Sequence, residues 1–357
     1  MRALVGTRKG LFVVAGSGNQ WSIESSHFMA EPVSMVLADQ RDGSWYAALD
    51  HGHFGVKLHR SMDEGGSWTE VKAPSFPDKP ADSDDDSEWS TKLVWSLEEG
   101  ADQRLWCGTI PGGLFYSDDC AQSWTLVRSL WDRNERREWF GGGADQPGIH
   151  SVAVDPRNRH QLSVGVSCGG VWHSSDSGET WTLAAKGMVA AFMPPDRAGD
   201  ENIQDPHRLM PCPADPDVVW CQHHCGIFKS TDAGRTWSEV KEAGPSTFGF
   251  AVAVHPEDPD TAWFVPAEKD SARLPVDGKV VVTRTRDGGR SFEVLSDGLP
   301  GEHAYDLVYR HAFEVASDGV TLLMGSTTGN LWASGDQGDS WKAVSHHLPP
   351  VYCLRFL

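Results

Sequence analysis

This 357-residue chain has no apolar run long enough to span a bilayer, no secretory apolar segment ahead of its first strand-like residues, and no Pro- or Ser-rich linker dividing it. It is also poor in positive charge, with 31 Lys and Arg against 50 Asp and Glu and a formal net charge of -19. The lack of an arginine-rich stripe and the acidic balance exclude nucleic acid and an anionic membrane as partners, since neither offers cations to pair with the surplus. Seven cysteines are an odd number and none stands in a CxxC pair, so the sequence predicts reduced thiols and a cytoplasmic protein. No feature bears on oligomeric state.

What the chain does have is a repeat. The pattern Ser-x-Asp-x-Gly-x-Ser/Thr-Trp occurs at Ser61 to Trp68, Ser117 to Trp124 (with Ala121 for the glycine), Ser174 to Trp181, Ser230 to Trp237, Thr285 to Phe292 and Ser334 to Trp341. An eroded copy, Gly16 to Trp21, keeps the turn and the aromatic. The closing aromatics at 21, 68, 124, 181, 237, 292 and 341 step by 47, 56, 57, 56, 55 and 49 residues, which is a repeat array. Within the box, Asp is expected to accept hydrogen bonds from backbone N–H groups one or two residues on, Gly to supply a positive φ, and the aromatic to bury its face between neighbouring units.

Each unit reads as four short strands, as in Ile149 to Val154, Leu162 to Val166, Val171 to His173 and Trp181 to Leu183. Four antiparallel strands per unit, seven times over, predict an all-β, seven-bladed β-propeller in one domain, 1–357. Met1 to Gly6 has the character of a second strand and Val351 to Leu357 that of a first. The C-terminal strand should therefore pair with the N-terminal blade and close it, leaving no open edge.

The box resembles the Asp-box, or BNR repeat, of the sialidase-like superfamily over essentially the whole chain. That superfamily includes sialidases, xyloglucan-cleaving glycosidases, sortilin-type receptors and a photosystem assembly factor, so the resemblance implies the fold and leaves the activity open.

Function should sit in the long loops 74–90, 129–148 and 186–205, which contrast with short ones such as 242–246. The acidic run Asp82 to Asp86 reads as a solvated tip. Histidines give the sharpest signal. His150, His207 and His311 each precede a blade's turn by six residues, and His224 lies in the loop between the second and third strands of the fifth blade. Imidazoles converging on one point suit a divalent transition metal such as zinc, iron, copper or nickel. The expected chemistry is an enzyme acting on a small polar molecule or glycan at a histidine-rich, metal-bearing pocket. Glu31, Asp205, Glu302 and Tyr305 are candidate catalytic groups, and Arg208, Trp139, His223 and His303 candidate substrate contacts.

Two alternatives stand beside this reading. One is a glycoside hydrolase using a carboxylate pair, with Trp89, Trp131, Trp139 and Phe140 stacking on sugar rings. The other is a non-catalytic binding or assembly propeller. The resemblance would also admit a sialidase, with a Tyr nucleophile and an arginine clamp on the substrate carboxylate, but the Arg-Ile-Pro sequence is absent and the clamp is poorly populated.

Overall fold

A computed structural model describes residues 1–141 and 144–357. The chain is a seven-bladed β-propeller of four-stranded antiparallel sheets with almost no helix. Its contacts divide into two compact units, Met1–Val36 with His207–Leu357, and Leu37–Pro206; the division passes through the strands Val33–Ala38 and Pro206–Pro211.

The first unit carries the N-terminal blade, whose order is Val351–Phe356, Arg2–Thr7, Gly10–Ser17, Gln20–His27. The last strand pairs with the first as the sequence predicts, in the register Ala3 to Phe356, Val5 to Leu354 and Gly6 to Cys353. It also carries blades beginning at Pro206–Pro211, Gly249–Val254 and Phe313–Val315. Its largest core gathers Trp263, Trp332, Trp341, Phe313, Val351 and Leu354. The second unit holds blades beginning at Leu93–Glu99 and Ile149–Val154 and a core around Trp106, Trp139, Trp172 and Trp181. Two short helical segments, Arg128–Trp131 and Asn134–Glu138, follow the box of the first of these blades.

The box works as a hydrogen-bonded turn in all six copies. In the third, Ser174 Oγ–H donates to Asp176 Oδ1 at 2.8 Å, the Thr180 amide to Oδ1 at 2.9 Å and the Thr180 hydroxyl to Oδ2 at 2.6 Å, while Gly178 N–H donates to Ser174 Oγ. The amide that Asp caps is thus four residues on rather than one or two. The carboxylate bridges both ends of the turn. The fourth and fifth box positions both take positive φ, so Cys120 and Ala121 hold left-handed conformations at 57° and 66° where other boxes end on glycine. Burial of the closing aromatic is uneven: Trp181, Trp237 and Trp341 are buried, whereas Trp21, Trp68, Trp124 and Phe292 are half-buried. The deepest rings are instead mid-strand residues such as Trp106, Trp172, Trp220, Trp263 and Trp332.

These turns make the fold acid-sensitive. Hydrogen bonds from the seventh-position residue hold the carboxyls of Asp63, Asp119 and Asp176 below the usual range and that of Asp287 down to about 2; in Asp232 and Asp336 burial pushes the other way and the same bonds prevail. A carboxyl lowered in the folded state contributes stability above its unfolded pKa of about 3.9, and that contribution is lost as pH falls through the folded value. The melting temperature should therefore drop steeply between about pH 4 and pH 2. Replacing Asp176, Asp232 and Asp287 together by Asn should flatten this dependence. A wild-type melt unchanged from pH 4.5 to 2.5 would contradict it.

Candidate functional site

The strand Pro206–Pro211 carries His207 as its second residue. His207 is buried, its ring stacked on Phe250 at 4.4 Å and 10°, and its Nδ1 lies 2.6 Å from the Gly249 carbonyl oxygen. A carbonyl only accepts, so Nδ1 carries a proton. His224 sits in the two-residue turn between Val219–His223 and Gly226–Ser230, its ring 5.3 Å from that of His207 and edge-on to Phe248. Asp205 is buried and accepts the Cys168 N–H at 3.2 Å.

The other predicted metal ligands have different neighbours. Arg208 Nη1 donates to His311 Nδ1 at 2.7 Å, which places the imidazole proton on Nε2 and makes Arg208 and His311 a pair. Nearby in this unit, the half-buried Glu314 pairs with Arg355 at 3.2 Å and accepts the Phe356 N–H; desolvation pushes its carboxyl up, against the opposing charge of Arg355. Glu314 was not singled out from sequence, since nothing in its local pattern marks it. His150 is fully buried, 2.9 Å from Ser151 Oγ and edge-on to Trp95.

The remaining candidates are dispersed. His223 is fully buried and accepts the Cys225 N–H at 3.0 Å, so it shapes the turn that displays His224. Glu31 is half-buried in the turn ahead of Val33–Ala38. Glu302, His303 and Tyr305 share an exposed stretch, with Tyr305 63 % exposed, where water surrounds groups that a nucleophilic site would keep dry.

Trp139 belongs to a second feature, in the other unit. A cavity of about 380 Å³ is lined by Asp84, Asp86, Trp131, Arg136, Trp139 and Gln146, among others. Two of the long loops build it. Trp131, 2 % exposed, packs against Phe76 at 4.6 Å and Trp89 at 5.6 Å, and the Arg136 guanidinium lies 3.9 Å from its ring centroid. A side chain at Gly113 would come within 2.6 Å of Phe76, so the aromatic wall needs glycine there. The Trp139 N–H is taken by Asn202 Oδ1 at 3.0 Å, from the third long loop. The Trp131 N–H and the Gln146 Oε1 are buried without a hydrogen-bond partner among the described residues.

The acidic run is not the solvated tip its composition suggests. Asp85 is buried and accepts the Ser87 amide and hydroxyl, the Trp89 N–H at 3.0 Å and the guanidinium of Arg136. Burial alone would raise its carboxyl, yet these donors and the Arg136 charge hold it well below the usual carboxylate range. Asp84 pairs with Arg137 at the surface.

The chain matches no protein-family model. It is 25% identical over 285 residues to a probable oligoxyloglucan-reducing end-specific xyloglucanase of Neosartorya fischeri, covering 71% of this chain and 32% of that protein. Among solved structures it is similar to the GH74 xyloglucanase of Xanthomonas campestris, at TM-score 0.64 and 16% identity over 96% of this chain and 54% of the other. It is also similar to YCF48 bound to D1 peptide, at TM-score 0.53 and 14% identity over 87% and 82%. The chain spans about a third of the fungal xyloglucanase and about half of the bacterial one.

Proposed function

We propose that this protein is a carbohydrate-active propeller of the glycoside hydrolase kind that takes a neutral glycan in the Trp131–Trp139 cavity. The observation that carries the reading is a cavity lined by two indoles, Trp131 and Trp139, together with the polar side chains of Gln146 and Arg136. A sugar hydroxyl both donates and accepts, and its ring face stacks on indole, so one ligand answers both features. The xyloglucanase relatives support the same class. Asp84, Asp86 and the net charge disfavour an anionic sugar such as a sialoside.

Bond cleavage would need a pair of carboxylates across the sugar. In the cavity Asp85 is committed to Arg136 and Asp84 to Arg137, which leaves Asp86, so the cavity is assigned binding rather than scission. Calorimetry with xyloglucan oligosaccharides tests this. Gln146→Ala removes an amide side chain from the cavity lining and should weaken binding about tenfold, the equivalent of one hydrogen bond of about 1.4 kcal/mol. No binding of any neutral oligosaccharide at millimolar concentration would overturn the reading. A second reading, a peptide-binding assembly propeller, is favoured by the near full-length overlap with YCF48. It would be preferred if peptides bind and oligosaccharides do not.

A further inference from the structure

We propose that Asp306, Asn330 and His346 form a binding site for a neutral polyhydroxylated ligand such as a sugar ring, separate from the Trp131–Trp139 cavity. All three residues belong to the unit that contains His207–Leu357. Asp306 is only 8 % exposed, and three donors meet on one of its oxygens: Ser326 Oγ–H at 2.6 Å, Asn330 Nδ2–H at 2.7 Å and the Thr328 hydroxyl all reach Oδ1. The other oxygen, Oδ2, takes no donor from the described residues and keeps contact with solvent. Three bonds to Oδ1 fix the plane of the carboxyl group, so the direction of Oδ2 is set before a ligand arrives.

Ser326, Thr328 and Asn330 stand in the turn between Leu322–Gly325 and Leu331–Ser334. Gly329 shapes that turn with a φ of 87°, and a side chain there would collide with the Leu348 carbonyl oxygen. Asn330 carries the order outward. A carboxylate accepts, so the amide turns its NH2 to Asp306 and its Oδ1 to His346 Nδ1, 2.8 Å away. An amide oxygen also only accepts, so Nδ1 carries a proton, and in the neutral ring the lone pair then sits on Nε2. His346 is exposed, so a ligand can reach that nitrogen.

The groups on offer are therefore acceptors: Asp306 Oδ2, His346 Nε2 and the spare lone pairs of the exposed Thr328 hydroxyl, whose proton is given to Asp306. Such a set selects a ligand rich in donors and rejects sulfate or a carboxylate, which bring only acceptors and negative charge. A sugar brings several O–H donors and no charge. No third carboxylate, imidazole or thiol joins Asp306 and His346 among the described residues, as a transition-metal ion would require. Tyr305, next to Asp306 in the chain and 63 % exposed, supplies an aromatic face of the kind on which sugar rings stack.

The test follows the His346 ring by NMR in the full chain with isotope-labelled histidine, titrated with xyloglucan oligosaccharides; the signal lost in His346→Gln assigns it. The free protein should show the Nδ1–H tautomer, and the signal should move saturably at millimolar sugar. Asp306→Asn puts an NH2 where an acceptor stood and Asn330→Ala cuts the link to the imidazole, and each should weaken the response about tenfold. Gln146→Ala should respond as wild type, so a failure of the cavity reading and a failure of this site show separately. If Asp306 only anchors the turn, Asp306→Asn lowers the melting temperature and leaves the titration unchanged, and the proposal falls. It falls equally if the free ring is the Nε2–H tautomer, if sulfate moves the signal and sugar does not, or if no neutral oligosaccharide moves it at millimolar concentration. Should Asp306→Asn not fold, Asn330→Ala, at a half-buried position, decides.

Discussion

Removal of Val351 to Leu357 should leave a protein that does not unfold cooperatively. The strand contributes the fully buried Val351 and Cys353 and the nearly buried Leu354, and it forms one whole edge of the N-terminal blade. Burying Val351 and Leu354 is worth about 3–6 kcal/mol together, against a total stability of about 5–15 kcal/mol for a typical domain. The deletion also strips the half-buried Glu314 of Arg355 and of the Phe356 N–H. Further backbone bonds disappear, among them Leu354 N–H to His311 O at 2.7 Å and Val351 N–H to Ser326 O at 2.9 Å. An exposed strand edge then invites aggregation. Thermal melting monitored by circular dichroism and sedimentation of the truncated chain checks this. A soluble truncation with an unchanged melting temperature would refute the role of the last strand.

Asp85→Ala should cost about 3–5 kcal/mol, because it leaves the Arg136 guanidinium buried without its counter-ion. The same change frees the Ser87 and Trp89 donors, so the cavity wall should loosen and oligosaccharide affinity should fall with stability. Asp84→Ala, three residues from Ser87 in the same acidic run, removes only a surface pair with Arg137 and should cost well under 1 kcal/mol. Denaturant melts of the two variants separate these cases. Equal losses would mean that Asp85 is no more structural than its neighbour.

The contrast between these neighbouring aspartates shows where sequence reading stops. Composition makes Asp82 to Asp86 a solvated run, and for Asp84 that is right. Asp85 departs from it because a partner 51 positions away, Arg136, folds over it. The predicted histidine set behaves similarly. His150, His207 and His311 share a position in the repeat, yet Ser151 and Trp95 surround the first, Gly249 and His224 the second, and Arg208 the third. Equivalent repeat positions imply equivalent backbone places. They do not imply equivalent neighbours, because the facing residues come from blades and loops that differ in sequence.

Unequal loop length did point toward the cavity. The residues that make it a candidate site, Trp131 with its unpartnered N–H, Gln146, Arg136 and Asp85, carry no local signal beyond membership of those loops.

The seven-bladed architecture and the closing strand were determined by sequence alone, because the turn that defines each blade is completed within eight residues: Ser174, Asp176, Gly178 and Thr180 bond to one another whatever lies elsewhere. The tautomer of His207, the pairing of Arg208 with His311, the capture of Asp85 and the open valences of the cavity were decided by the tertiary structure. Those bonds join residues 42, 103 and 51 positions apart, and hydrogen bonds over such separations exist only once packing has brought the strands and loops that carry them together.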